Sequence, residues 1–490
     1  MFLSVTFEQI WSHFAYIFNI VYVITIIFII IFVILENRNP TKTVSWVMVL
    51  ILLPVVGIIF YLYFGQNYRK SKIFSRKGIS DYKQIECLSK VQIKKLPNSK
   101  FLKNPKLKDK LNIITLLLNN SKALLSERNK VKILKNGKQT FSSIIYELEN
   151  AKHHIHIEYY IIANDKIGNQ IKEILKRKAR QGVEVRLIYD HVGSWSLKKR
   201  YIRSLQKAGI EVFSFMPVRL PFLTSKINFR NHRKIIVVDG KVGFVGGLNI
   251  ADYYITGTKK LGPWRDTHLR LEGEAVLSLQ VVFLIDWFFI TEKLIDGDKY
   301  FPENEVVEEH LVQITASGPD SDWASIMQAY FVAITTAKNY IYISTPYFIP
   351  NESILTALLT TALSGVDVKI ILPCKSDSAM VYWSSMSFIQ NLLEAGIKVY
   401  FYQAGFPHSK LLMVDDEFSS VGTANLDYRS FDHNFEVNAL IYDEGVTSEL
   451  KNNFIEDLNN SKQVFLEEWI KRPLSYKIKS SFARLFSPLM

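Results

Sequence analysis

H-R-K-I-I-V-V-D, from His232 to Asp239, returns as H-S-K-L-L-M-V-D from His408 to Asp415. Each copy is followed at the same distance by a glycine and an asparagine: Gly246 and Asn249 after the first, Gly422 and Asn425 after the second. Only 10 histidines occur in 490 residues, so two matched blocks mark an internal duplication rather than an accident of composition. The apolar run in each block predicts a strand. On an extended strand His232 and Lys234 are two apart and share a face, as do His408 and Lys410.

The duplication extends outward from these blocks. Ala151-Lys152 followed by H-H-I-H-I-E-Y-Y-I-I parallels Ala337-Lys338 followed by N-Y-I-Y-I-S-T-P-Y-F. G-V-E-V-R-L-I-Y at Gly182 parallels G-V-D-V-K-I-I-L at Gly365, and L-Q-K-A-G-I-E-V-F at Leu205 parallels L-L-E-A-G-I-K-V-Y at Leu392. Strands alternating with helical stretches predict an α/β class, with two repeats of mixed sheet covered by helices, over 131–310 and 311–490. Packing about a pseudo-twofold axis then brings both motifs to one cleft. The copies are offset by 187 residues at Gly209 and Gly396 but by 176 at His232 and His408, so the first half carries 11 extra residues before its motif. They fall in 216–230, where Leu220, Phe222 and Leu223 mix with Arg and Lys; an ordinary surface loop and a lip dipping into a bilayer both fit.

Ahead of the repeats, Phe14 to Leu35 is almost unbroken Ile, Val, Phe and Tyr, and Val44 to Phe64 is a second apolar run. Either spans the ~30 Å hydrocarbon core of a bilayer as a helix at ~1.5 Å per residue. A cleaved signal peptide fits poorly, because the first run lacks a basic n-region and a small-residue cleavage site. Residues 1–65 are therefore expected to form a two-helix transmembrane hairpin. Residues 66–130 follow as a basic juxtamembrane linker. Between Gln66 and Lys110 stand 14 Lys plus Arg against 3 Asp plus Glu, a balance of +11 in a chain whose total is +14. The positive-inside bias is expected to put everything after Phe64 in the cytoplasm, at the cell membrane. Basic residues beside a membrane helix suit an anionic lipid surface better than nucleic acid. The tail from Lys471 is basic with a Phe and Leu stripe, which fits an interfacial helix or an end packed on the core. Cys87 and Cys374 lie far apart and read as free thiols.

Two imidazoles, two ammoniums and the amides of Asn249 and Asn425 suit a phosphodiester. Lysines and asparagines hold the non-bridging oxygens, one imidazole attacks phosphorus and the other moves the proton. The candidate catalytic set is thus His232, Lys234, Asp239, His408, Lys410 and Asp415, with Lys234, Lys410, Asn249 and Asn425 on the phosphate. Asp239 and Asp415 stand at the strand ends, where capping a turn or a salt bridge is the expected role. His154, His156 and Glu158 alternate on one strand face, but three ligands on one short strand rarely close a metal site, so neither metal nor other cofactor is expected. No Walker loop and no G-x-G-x-x-G opening a helix is found.

The twin motifs resemble those of the phospholipase D superfamily. Within it the chain looks like the bacterial cardiolipin synthases. The likeness runs through L-I-L-L-P-V-V-G at Leu50, F-G-Q-N at Phe64, I-E-Y-Y at Ile157, V-G-G-L-N at Val245 and W-R-D-T-H at Trp264. It continues through T-P-Y-F-I-P at Thr345, G-F-P-H-S-K at Gly405, N-L-D-Y-R-S at Asn425 and A-R-L-F-S-P-L near the end. Thr423 stands where the family often has Ser, with the hydroxyl retained. The resemblance implies that a later acidic residue orients each histidine, which assigns Asp266 to His232 and Glu436 to His408, and that the first-half histidine is the nucleophile. The implied reaction joins two phosphatidylglycerol molecules into cardiolipin and releases glycerol through a phosphatidyl-histidine. Hydrolysis to phosphatidic acid is the competing reading, with a non-catalytic lipid-binding scaffold and a tethered nuclease behind it. Phosphatidylglycerol and other anionic phospholipids are the expected partners, and the sequence leaves the oligomeric state open.

Overall fold

The computed structural model describes residues 7–35, 40–53, 57–58, 60–61, 80–95, 110–218, 228–303 and 305–490. They fall into two units. In the N-terminal unit Phe7–Leu35 is a single helix, and its stretch Trp11–Leu35 is long and apolar enough to cross a membrane. Its side chains are mostly exposed, as a bilayer-facing helix requires. The second apolar run opens in the helix Pro40–Leu52, and Leu53, Gly57, Ile58, Phe60 and Tyr61 beyond it are also described. Val33, Leu50 and Tyr61 are buried together between these pieces. Tyr63 and Phe64, and the residues Leu220, Phe222 and Leu223 of the first-half insertion, lie outside the described residues.

The larger unit repeats one topology twice. The first sheet runs, edge to edge, Asn129–Lys135, Thr267–Gly273, Val242–Gly246, Lys234–Val238, His154–Tyr159, Glu184–Asp190 and Glu211–Phe215. The second runs Leu125–Ser126, Val312–Ser317, Glu436–Ile441, Phe418–Gly422, Leu411–Val414, Tyr340–Ser344, Asp367–Pro373, Lys398–Tyr402 and Ser461–Val464. In both, three strands pair parallel (His154–Tyr159, Glu184–Asp190 and Glu211–Phe215 in the first; Tyr340–Ser344, Asp367–Pro373 and Lys398–Tyr402 in the second), and the motif strand joins the first of each three antiparallel on its other side. In the second sheet Ser461–Val464 adds an antiparallel edge. Parallel neighbours need crossovers, supplied by Lys166–Arg180 and Lys199–Gln206 in the first half and by Glu352–Leu363 and Ile389–Glu394 in the second. The sequence expectation of mixed sheets under helices matches this arrangement.

Three apolar clusters hold the layers. One fills the outer face of each sheet beneath its helices. The third lies between the sheets, where Ile235, Val237, Val245 and Leu269 of the first meet Leu411, Met413, Val421 and Val437 of the second. The motif strands are thus buried on both faces, which explains their unbroken apolar runs. Glu274–Thr291 is also long and apolar enough to span a bilayer, but it packs on the first sheet with Val276, Leu279, Phe283 and Trp287 buried, as a core helix.

The expected linker 66–130 contributes to the fold at its end. Leu111–Asn120 is a helix whose Ile113, Ile114, Leu117 and Leu118 enter the core of the second half, and Leu125–Ser126 pairs with Val312–Gln313. The net charge of the stretch masked a short apolar helix within it. Asn129–Lys135 then becomes the edge of the first sheet.

Candidate active site

Each motif histidine enters the site on a short backbone pairing with the opposite half. His232 donates its N–H to the Phe435 carbonyl at 2.9 Å, and Phe435 donates to the Arg230 carbonyl at 2.9 Å. Phe406–Pro407 runs parallel to Trp264–Arg265, and the His408 N–H reaches the Arg265 carbonyl at 2.7 Å. The residue following Phe435 is Glu436, and the residue following Arg265 is Asp266. Backbone register therefore delivers the carboxylate of one half to the imidazole of the other.

The carboxylates are exchanged relative to the sequence expectation. His232 Nδ1 lies 3.0 Å from both Oε1 and Oε2 of Glu436, and His408 Nδ1 lies 2.7 Å from Asp266 Oδ2. Asp266 does not orient His232, nor Glu436 His408; the pairing crosses between halves. A carboxylate accepts, so each Nδ1 carries the proton and each Nε2 keeps its lone pair.

The two pairs are electrostatically unlike. Burial pushes Glu436 up, but the facing His232, Lys234 and the Thr423 hydroxyl outweigh it, and its carboxyl sits below the usual range. Thr423 Oγ1 donates to Glu436 Oε2 at 2.5 Å and Asn434 Nδ2 to Oε1 at 3.2 Å. The hydroxyl at 423, a Thr where the family often has Ser, thus has a definite task. Asp266 is fully buried, and burial prevails over Lys410 and the Thr267 N–H (2.7 Å) to raise it to about 6. Gly247 makes room for it: a Cβ there would stand 2.3 Å from Asp266 Oδ1. Burial lowers His232 to about 4 and His408 well below its usual value, with Lys410, Lys234 and His232 adding to the effect on His408. The mutual influence of these groups marks them as one cluster.

Both lysines are buried and bound back onto their own motif. Lys234 Nζ donates to the His232 carbonyl at 2.7 Å, and Lys410 Nζ to the His408 carbonyl at 2.6 Å. Burial lowers Lys410 to about 8 and Lys234 well below its usual value. Aromatic rings frame the cluster: Tyr160 stands 5.0 Å from the His232 ring, Trp264 5.0 Å and Tyr254 5.5 Å from the His408 ring. Asn249 Nδ2 donates to the Tyr254 hydroxyl at 2.6 Å, and its Oδ1 accepts from Ile161 N at 3.1 Å. Asn425 Nδ2 donates to Asp427 Oδ2 at 3.3 Å. Tyr160 and Trp264 had no sequence signal beyond their place in the quoted blocks, and Tyr254 and Asn434 lie outside those blocks.

Asp239 and Asp415 belong elsewhere. Asp239 accepts the N–H groups of Lys152, His153 and His154 at 2.8, 2.8 and 2.9 Å. Asp415 accepts those of Lys338, Asn339 and Tyr340 at 2.7, 2.7 and 2.9 Å. Each stands at the far end of its strand, roughly 16 Å from the motif lysine at ~3.3 Å per residue. By sequence both belong to the candidate catalytic set; the structure places them instead on the backbone of the neighbouring strand, in the capping role expected of them. His154 and His156 both bond the Gln280 amide, at 3.3 and 2.7 Å, and His156 stacks on Phe283. Glu158 accepts from Asn231 Nδ2.

Comparison with known proteins gives the family. The family model "Cardiolipin synthase, PLD-like domain" matches residues 144–258 and 330–458, one block per repeat, and "Phospholipase_D-nuclease N-terminal" matches 20–66. A cardiolipin synthase of Geobacillus kaustophilus is 46% identical, with 96% of this chain and 94% of that one aligned. Another, from Halalkalibacterium halodurans, is 46% identical over 100% of this chain and 97% of its own. Among solved structures, phosphatidylserine synthase of Haemophilus influenzae superposes with a TM-score of 0.58 at 16% identity, covering 79% of this chain and 100% of that one, a likeness of fold. Twin motifs on crossed carboxylates, and near-half identity sustained from end to end, lead to one conclusion: the chain belongs to the cardiolipin synthase family of phospholipase D-like enzymes.

Proposed function

We propose that this enzyme moves a phosphatidyl group from one phosphatidylglycerol to the headgroup hydroxyl of a second, giving cardiolipin and glycerol. The observation that carries the reading is the pair of imidazoles, each oriented through Nδ1 by the other half's carboxylate, with His232 Nε2 as the attacking atom and His408 Nε2, 3.1 Å from Lys410 Nζ, as the proton carrier. Glu436 keeps its charge and holds His232 as the better nucleophile. Asp266 holds the Nδ1 proton of His408, which leaves His408 Nε2 to exchange a proton with the departing glycerol and the acceptor hydroxyl.

In the first step the bound phosphate anion favours a second proton on His408, at Nε2; His232 Nε2 then forms a bond to phosphorus while the bond to the glycerol oxygen breaks, and the His408 Nε2 proton leaves with glycerol. In the second, the headgroup hydroxyl of another phosphatidylglycerol gives its proton to His408, its oxygen attacks phosphorus, and the P–N bond breaks to restore His232. Lys234, Lys410, Asn249 and Asn425 hold the non-bridging oxygens, and the arriving anion restores the ammonium charges that burial disfavours. One phosphodiester replaces another, so no activated donor is required.

The test is the product formed from phosphatidylglycerol vesicles. Cardiolipin with equimolar glycerol is expected, and loss of both in His232→Ala and His408→Ala; phosphatidic acid with glycerol would replace the reading by hydrolysis. The +11 stretch after the apolar runs supports a cytoplasmic catalytic unit. Cys87 is exposed and follows those runs. In intact cells it should resist a membrane-impermeant maleimide and react after permeabilisation; equal labelling in both places the unit outside.

A further inference from the structure

The last helix, Leu474–Arg484, is built inside out for a helix resting on a protein. Its small residues Ser480 and Ala483 are buried, while Leu474, Ile478, Phe482 and Leu485 are 71, 60, 57 and 75% exposed. These four follow the spacing of a single helix face, so they form one continuous apolar stripe turned to the outside. A core-packed helix would reverse that assignment. The helix is fixed in this orientation by its neighbour Ala379–Met386, where Tyr476 stands edge-on to Trp383 at 5.1 Å and Lys479 lies 5.3 Å over the same ring.

Charge accompanies the stripe. From Lys471 to the end of the chain stand five basic residues, Lys471, Arg472, Lys477, Lys479 and Arg484, and no Asp or Glu. Three of them line a cavity of about 300 Å³ beside the stripe, together with Asn391, Ser480 and Ser481. Two are held in place from behind. Arg472 stacks 3.3 Å over Trp469 and donates to its carbonyl at 2.8 Å; Arg484 donates to the Ser387 carbonyl at 3.3 Å. Positioned cations with hydroxyl and amide groups, opening next to an apolar strip, match a phosphate attached to acyl chains. The neighbouring helix begins just after Asp377, whose charge acts on both His408 and Lys410, so the start of that helix is within electrostatic reach of the catalytic cluster.

We infer that the C-terminal helix is an interfacial docking element for an anionic bilayer: Leu474, Ile478, Phe482 and Leu485 enter the acyl boundary, and the Arg472, Lys477 and Arg484 cavity takes the phosphate of an anionic phospholipid. The inference rests on the lipid-transferring reading and adds a second lipid site, apart from the reacting one. That site favours membranes already rich in anionic lipid.

The experiment uses the full chain in nanodiscs, with a fluorophore on Ile478→Cys and, as reference, on Tyr146→Cys, whose native residue is 66% exposed in the first half. Both are made in a Cys87→Ser, Cys374→Ser background, and quenching is by brominated phosphatidylglycerol or phosphatidylcholine. The Ile478 label should be quenched about threefold or more above the Tyr146 label in phosphatidylglycerol discs, since interfacial helices bury their apolar face below the headgroups. It should fall toward the reference in phosphatidylcholine, and in Arg472→Ser, Lys477→Ser, Arg484→Ser. Quenching no greater than at Tyr146 overturns docking; equal quenching by the two lipids overturns the phosphate site; cross-linking between two Ile478→Cys chains without quenching assigns the stripe to a second copy. Hydrogen exchange of residues 474–486 in the unsubstituted chain, slower in phosphatidylglycerol than in phosphatidylcholine discs, checks the result without any substitution, and equal exchange counts against it. None of these readouts needs turnover, so they stand or fall separately from the product analysis.

Discussion

Glu436 and Asp266 perform the same geometric task and yet differ in charge behaviour. Three side-chain donors, His232, Thr423 and Asn434, surround Glu436 and keep it ionised across the physiological range. Asp266 has the Thr267 N–H and its histidine, and burial carries it up to about 6. As pH falls through that value Asp266 takes up a proton, and the negative charge that holds the His408 tautomer is lost. As pH rises through about 8 in the free enzyme, Lys410 loses the proton it needs to meet a phosphate. The profile of kcat/KM against pH should therefore be a bell with limbs near those values. Asp266→Asn should lower kcat by roughly 10²–10⁴-fold, as removal of a histidine-orienting carboxylate does, and abolish the acid limb. An acid limb that persists near 6 in that variant assigns the titration to another group.

At the scale of strands and turns, the motif aspartates explain why the block ends as it does. Asp239 and Asp415 both adopt positive φ, 54° and 56°, a conformation non-glycine residues take at some cost, and each repays it by accepting three N–H groups at the start of the adjacent strand. Asp415→Ala leaves those donors without their acceptor. It should destabilise the enzyme by about 2–5 kcal/mol, read as a lower thermal midpoint in detergent, with turnover per folded molecule unchanged. Loss of turnover at full stability would restore Asp415 to the catalytic set. Elements of this kind were legible in sequence, because strand alternation, glycine turns after helices and matched blocks are local signals. The helix Leu111–Asn120 was not, because I-I-x-x-L-L is short and lies in a stretch dominated by lysine. The orientation of the C-terminal helix was equally hidden: an apolar stripe fits core and membrane alike until its neighbours are known.

Across the whole molecule the decisive fact is the crossing of the halves. Sequence order pairs each histidine with the acid that follows it in its own repeat, Asp266 after His232 and Glu436 after His408. The actual partners are 204 and 142 residues apart. Such a register is set by the packing of one sheet on the other and by the parallel contact of Phe406–Pro407 with Trp264–Arg265, neither of which leaves a local trace. The residue types of the site could be read in advance; their partners could not. The crossing also fastens the interface, since Arg233 donates from Nε to the Glu436 carbonyl at 3.2 Å and pairs with Asp286 in the first half. A thermodynamic cycle separates crossed from uncrossed pairing without reference to activity. His232→Asn and Glu436→Gln, singly and together, should show a coupling of about 0.5–3 kcal/mol in unfolding free energy, whereas His232→Asn with Asp266→Asn should be additive within about 0.5 kcal/mol. Because one member of the first pair comes from each repeat, the coupling measures the bond between repeats. Coupling of His232 to Asp266 in place of Glu436 would return each histidine to the acid of its own half and leave the two repeats as independently oriented sites.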